Sequence, residues 1–156
     1  MAISENAVIE FYGTQDTVDS SSAAVSDGAM SVASSVTTWT NDDDALEAGF
    51  VLRAQYASGT VDSNAFVSLY ARLMNIDGTN DANEPATDHL DVWLGNFVFD
   101  DGLATATNTY MSLRARLPNL KSGQEYDFYI LNLTGVTLSD GWTLKVTPIT
   151  YGPHPA

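Results

Sequence analysis

Cysteine is absent from the 156 residues, so the chain cannot form a disulfide, a thiolate nucleophile or a cysteine-ligated metal site of its own. Basic residues are scarce: six Lys and Arg against 20 Asp and Glu give a formal net charge of -14. Nucleic-acid affinity comes chiefly from Lys and Arg that neutralise phosphates, so this balance argues against a DNA or RNA partner. The two histidines, His89 and His154, accompany no nucleophile motif such as G-x-S-x-G, and we therefore expect no enzymatic activity.

Long apolar runs are also missing. No stretch approaches the ~20 apolar residues that cross a bilayer, so no membrane partner is expected. The opening MAISENAVIEFYG lacks the basic flank and apolar core of a secretory signal, which favours a protein made and kept in the cytoplasm. Nothing in the chain has the pattern of a long helix, and its length fits one domain.

What is present is period-two alternation, which is typical of half-buried strands. Two long segments organise the chain, Leu46–Ala57 and Ala65–Asn75. In the first, apolar side chains from Leu46 to Tyr56 share one side of the pleat. Further strands are predicted over Ala29–Thr38, Leu90–Phe99, Tyr110–Leu117, Glu125–Leu133 and Gly141–Thr150, and Asn6–Tyr12 is predicted as a short first strand or an ordered arm.

About eight strands separated by turn signals predict an all-β fold, a two-sheet antiparallel β-sandwich. A jelly roll is the leading topology, and an immunoglobulin-like Greek key is the alternative. Residues 1–28 form an N-terminal arm or loop segment, within which Gly13–Gly28 is predicted as a surface loop. The sandwich domain spans 29–151, and 152–156 is a short tail.

Particular side chains within this pattern carry structural predictions. Gly95, where the alternation changes phase, predicts a β-bulge or bend. Glu125–Leu133 is apolar on both sides, which predicts a central strand or one covered by a loop or another subunit. Pro148 lacks a ladder donor and is expected near a sheet edge or a strand end.

Oxygen-rich loops raise the question of calcium, because hard cations take several loop oxygens. Asp77, Asn80 and Asp81 lie close together in sequence, and the acidic run Asp42–Asp44 offers another cluster. The first spacing does not match an EF-hand loop, which has Gly at its sixth position. The simplest interpretation is that these carboxylates are hydrated, so no cofactor is expected and calcium is the one candidate ion.

Aromatic side chains offer another kind of site, a platform for sugar rings if two of them line one concave face, although core packing or cross-strand pairing is the commoner role of Trp93 and Trp142 in their strands. The arginines are a third: several lie on the outward sides of strands, where they pair with acidic neighbours or meet a partner. The candidate aromatic residues are Trp39, Trp93, Trp142, Tyr110 and Tyr129, and the arginines are Arg53, Arg72, Arg114 and Arg116.

Several segments together resemble small structural proteins of tailed bacteriophage virions, most of all the capsid decoration, or cement, proteins. The segments are NAVIEFYGT, WTNDDDA (Trp39–Ala45), YARLMNI (Tyr70–Ile76) with TNDANEP after it, YDFYILNLTG and GWTLKVTPI. The resemblance covers most of the chain and consists of lineage signatures, so it transfers no residue role.

The resemblance implies a non-enzymatic β-sandwich protein, often a homotrimer, assembled in the host cytoplasm and bound in many copies to the outer capsid surface. Its partner would be the major capsid protein, whose subunits it bridges and stabilises. The N-terminal arm is the expected partner contact, through its apolar side chains Ile3, Val8, Phe11 and Tyr12. The alternative function is a carbohydrate-binding module or phage adhesin with an aromatic-lined sheet face.

Overall fold

The structure, a computed structural model, describes residues 8–20, 23–32, 36–56, 59–86, 92–99 and 108–153. Within these ranges there is no helix, and the strands form two antiparallel sheets. The strands are Val8–Tyr12 (β1), Asp16–Ser20 (β2), Trp39–Thr40 (β3), Glu47–Ala54 (β4), Phe66–Met74 (β5), Trp93–Val98 (β6), Thr109–Arg116 (β7), Glu125–Leu133 (β8) and Thr143–Pro153 (β9).

The predicted β-sandwich is confirmed, and its strand order is that of a jelly roll. The first sheet has the order β1-β9-β4-β7, with β2 also paired to β9, and the second has the order β3-β8-β5-β6. The pairs are nested along the chain: β1 and β2 with β9, β3 with β8, β4 with β7, and β5 with β6. A long antiparallel ribbon rolled into two sheets gives this pattern, whereas an immunoglobulin-like Greek key does not.

The core lies between the sheets and follows the predicted alternation. In β4, Phe50 and Leu52 are fully buried, and from the second sheet Leu69 and Phe128 face them. The rings of Phe50 and Phe128 meet edge to face at 5.0 Å between centroids. Leu46 was predicted to share the inward side, but it precedes β4 and is 53% exposed.

Strand β8 is central, as its two apolar faces predicted. It pairs with β5 along its length, and β3 pairs with its other edge. On its outer face Tyr129 and Leu131 are buried under Met30 and Val36. The covering loop comes from the region predicted as a strand, Ala29–Thr38, which forms only isolated bridges at Met30 and Val36 among its described residues.

Gly95 forms the predicted irregularity in β6. The register with β5 shifts between Leu69 and Tyr70, so Leu94 is the extra residue of a bulge. Gly95 has φ 151°, and a Cβ at this position would lie 2.8 Å from Leu113 Cδ1. The backbone at this position therefore favours glycine, and a larger residue would also have to displace the end of the Leu113 side chain.

The prediction of a loop over Gly13–Gly28 is wrong for Asp16–Ser20, which is strand β2. Its composition is poor in strand formers, but Val18 is buried and the strand pairs with β9. Tertiary pairing has overridden local propensity here. Both β1 and β2 lie in the segment predicted as an N-terminal arm, and both are hydrogen-bonded to β9.

Pro148 was expected near a sheet edge or strand end, but it lies inside β9, opposite Ala48 of β4. The backbone N–H that proline lacks would point away from β4, toward the edge of β9 that pairs with β1 and β2. There β1 ends and β2 has not yet begun, and Gly13 N donates to Pro148 O at 2.9 Å. A Cβ on Gly13 would lie 2.6 Å from Pro148 Cγ. The interruption between β1 and β2 thus creates a local edge that tolerates proline.

Candidate partner-binding surface

Strand β1 ends the first sheet and carries three of the predicted contact residues. Val8, Phe11 and Tyr12 are 70%, 43% and 64% exposed, which is unusual for large apolar side chains on a five-residue strand. Among the described strands β1 pairs only with β9, so its other edge has no ladder partner. Ile3 lies outside the described residues, and the role of all four stays a prediction. We call Val8–Tyr12 with Tyr151 the β1 surface.

A charged network holds β1 against the rest of the sheet. Arg114 of β7 donates from Nε to Glu47 Oε2 at 2.6 Å and from Nη2 to Glu10 Oε1 at 2.8 Å. It also donates to the Tyr151 hydroxyl, which in turn donates to Glu47 Oε2 at 2.8 Å. Because β9 and β4 lie between β1 and β7, one guanidinium links the two ends of the sheet. Tyr12 extends the network by donating its hydroxyl to Glu10 at 2.8 Å.

The network shifts the acidity of its members in the expected directions. The hydrogen bond from Arg114 lowers the pKa of Glu10, and the hydrogen bonds from Tyr151 and then Arg114 lower the pKa of Glu47. The carboxylates raise the pKa of Arg114, mainly through Glu10. All these groups are exposed to solvent, so the network is open to screening by salt. The network therefore positions these side chains relative to one another more than it adds to the free energy of unfolding.

The outward arginines were predicted either to pair with acidic neighbours or to meet a partner, and among the described residues the structure shows pairing at two of the four. Arg114 pairs with Glu10 and Glu47, and Arg72 lies 3.8 Å from Asp127 and 3.9 Å from Asp81. Sequence could not identify these partners, because Glu10 and Glu47 are 104 and 67 residues away from Arg114.

The predicted calcium residues lie together in one turn, but their carboxylate oxygens accept hydrogen bonds from other groups of that turn. Asp77 accepts hydrogen bonds from Asn80 Nδ2 and from the backbone N–H groups of Asn80 and Thr79, which together lower the pKa of Asp77. Asp81 accepts from Asn75 N. Over the described ranges no group of three or more His, Asp or Glu side chains is arranged to hold a metal ion.

The aromatic candidates do not share one platform. Trp39, Trp142 and Tyr129 are buried in the sandwich, while Trp93 and Tyr110 are 58% and 68% exposed. Trp93 lies opposite Tyr70 on the outer side of the second sheet, and Tyr110 lies in β7 of the first. Trp93 lies beside Arg116 and Pro118 in one depression, whereas Tyr110 lies beside Arg53 and Lys145 in another, so the two exposed rings do not line the same concave surface. His89 and His154 lie outside the described residues.

The fold and this surface define an all-β jelly-roll protein with an exposed, apolar edge strand. Protein-family models and curated proteins were both compared with this chain, and neither comparison gives a match. The part of the chain that the structure describes contains no helix long and apolar enough to span a membrane.

Proposed function

We propose that this chain is a non-enzymatic virion structural protein of a tailed bacteriophage, which decorates the outer capsid surface and stabilises it by bridging major capsid protein subunits. The β1 surface carries the proposal, because it presents exposed apolar side chains on a strand whose outer edge is unpaired among the described strands. Scattered apolar residues on a surface need no explanation, but a cluster at a sheet edge is typical of an interaction site. The sequence resemblance supplies the partner.

Such a surface suits binding to a lattice. A partner strand can add to the free edge of β1, with main-chain hydrogen bonds giving affinity and Val8 and Tyr12 giving specificity. Binding that favours the assembled shell over loose subunits stabilises the shell by mass action. A homotrimer would contact several subunits at once and gain avidity through effective concentration.

The test is cosedimentation of the purified protein with expanded capsids that lack it, with unexpanded shells as the comparison. We expect saturable binding to expanded capsids at a fixed number of copies. The double variant Val8→Ser, Tyr12→Ser should bind at least tenfold more weakly, since it removes two apolar contacts. Val98→Ser is the matched control: Val98 is 71% exposed on the second sheet, away from the β1 surface, so its replacement should leave capsid binding unchanged.

Two results would overturn the proposal: no binding at low or moderate salt, or equal loss of binding in the double variant and in Val98→Ser. Circular dichroism and a melting curve show first that each variant keeps the folded sandwich.

A sugar-binding module or adhesin is the second candidate, and the exposure of Trp93 favours it. Because Trp39 and Trp142 are 7% and 1% exposed, a change in tryptophan fluorescence on adding a glycan would report Trp93. Quenching that saturates with one neutral oligosaccharide, together with absence of capsid binding, would favour this function over decoration.

A further inference from the structure

Positive charge is concentrated on one face of this acidic protein. Four of the six basic residues lie on the outer side of the first sheet, in strands β4, β7 and β9: Arg53, Arg114, Arg116 and Lys145. Arg114 is engaged by two carboxylates. Arg53 and Lys145 form no ion pair with the residues that the structure describes. Their charge is therefore available to a ligand.

These two cations line one depression of about 460 Å³ on that face, together with Gln15, Val51, Tyr110 and Thr143. Strand register builds its floor from two adjacent rows across the sheet. Arg53 of β4 lies opposite Tyr110 on one side and Thr143 on the other, and Val51 in the next row lies opposite Lys145. Among the residues that the structure describes, no carboxylate lines the depression.

Arg53 is held in place before any ligand arrives. Its Nη2 donates to the carbonyl of Gly141 in the turn before β9. Its Nε is buried and has no hydrogen-bond partner among the described residues, so the guanidinium is only partly satisfied by the protein. An anion in the depression would meet the terminal nitrogens of the guanidinium, which pair well with carboxylates. The net charge of -14 repels anions at a distance, but at physiological salt screening acts over about 8 Å, so the local cations dominate in the depression.

The rest of the lining selects the kind of anion. The volume lies within the ~300–1,000 Å³ range of small-molecule sites, so it exceeds the needs of a simple inorganic ion. Tyr110 offers an exposed ring face, and Gln15 and Thr143 offer hydrogen bonds to hydroxyl groups. The depression lies mainly over β4, whose backbone groups are used in the ladders with β7 and β9, so an extended peptide finds few main-chain partners on that face. A sugar ring needs side chains only.

The geometry points to a binding site for a carboxylated saccharide in this depression: Arg53 and Lys145 bind the carboxylate, and Tyr110 packs against the sugar ring. This inference goes beyond capsid decoration and does not depend on it. It also differs from the neutral-sugar candidate at Trp93, which lies on the other sheet.

The probe is digalacturonic acid, titrated into ¹⁵N-labelled protein while amide chemical shifts are followed by NMR. Its dimethyl ester has the same rings without the charges, and acetate has the charge without a ring. We expect saturable shifts for digalacturonate at Val51, Arg53, Tyr110, Thr143 and Lys145, with affinity that falls as salt is raised. The ester and acetate should each bind at least about tenfold more weakly.

The variant Lys145→Gln should weaken digalacturonate binding about tenfold. Arg116→Gln is the matched control: it removes the same charge from the same face, outside the lining, and should change affinity less than twofold. The inference is overturned if digalacturonate gives no saturable shifts, if the ester or acetate binds equally well, or if both variants weaken binding equally. Failure of capsid binding would leave this result unaffected.

Discussion

Asn41 begins the polar run Asn41–Asp44 and is fully buried, whereas Asp42 beside it is exposed. Asn41 Oδ1 accepts from Ala45 N at 2.9 Å, and its Nδ2 donates to Ala45 O at 2.9 Å and to Asn119 Oδ1 at 3.1 Å. The side chain therefore closes the loop and ties it to the segment after β7.

The variant Asn41→Ala removes all three hydrogen bonds and leaves the buried Ala45 N–H unpaired. At about 1 kcal/mol for each bond, the free energy of unfolding should fall by about 3 kcal/mol. For a domain of this size, that loss lowers Tm by roughly 6–12 °C. Urea unfolding should show a lower midpoint with an unchanged m-value, because the same surface is exposed on unfolding.

Asp42→Ala is the matched control for this prediction. Asp42 is exposed in the same loop and makes no hydrogen bond within the described ranges, so its removal should change stability by less than about 0.5 kcal/mol. A loss below about 1 kcal/mol in Asn41→Ala, or equal losses in both variants, would refute the assignment of loop closure to this amide.

Three further predictions concern glycine, pH and tyrosine. Gly95→Ala should lower the free energy of unfolding, measured in urea, by about 1–3 kcal/mol, since its φ strains a residue with a Cβ and the new methyl group must displace the end of Leu113. Gly49→Ala, with nothing nearer than 3.9 Å, should be neutral or stabilising. Glu10 and Glu47, the two carboxylates bound to Arg114, have lowered pKa values in the folded protein. Their contribution to stability is therefore present above the unfolded pKa of about 4.3 and is lost as pH falls through the folded pKa values. Carboxyl ¹³C NMR should show these pKa values rise in Arg114→Gln, and unchanged values would contradict the network. Burial raises the pKa of Tyr126 to about 12, so the unfolded chain, which ionises near 10, should gain stability relative to the fold between these pH values. The variant Tyr126→Phe should therefore unfold at a higher pH than the unmodified protein. An unchanged pH of alkaline unfolding would contradict a role of Tyr126 ionisation in it.

Much of the fold could be predicted from the sequence because the long strands bury one face each. Alternation alone places β4, β5, β7, β8 and β9, and it identifies β8 as central. What escaped prediction depends on pairing between distant segments. The polar strand β2 exists because β9 offers an edge, and Pro148 fits inside β9 because β1 and β2 are interrupted beside it.

The candidate sites escaped prediction for the same reason. Glu10 and Glu47 become partners of Arg114 only when four strands are set side by side, and the register of β4 with β7 and β9 alone brings Arg53 and Lys145 into adjacent rows. Local signals show that an arginine faces outward. They do not show which groups share that face.

The two outer faces of the sandwich differ in what folding requires of them, and this difference indicates where partners bind. The second sheet carries β8, whose outer side is apolar, so the chain must cover Tyr129 and Leu131 with its own Met30 and Val36. The outer side of the first sheet bears charged and polar residues on β4, β7 and β9, which need no cover. Large exposed apolar side chains on β1 are therefore not a by-product of an incompletely covered core. They lie at the end of the open sheet, where a partner can reach both the strand edge and the face beside it.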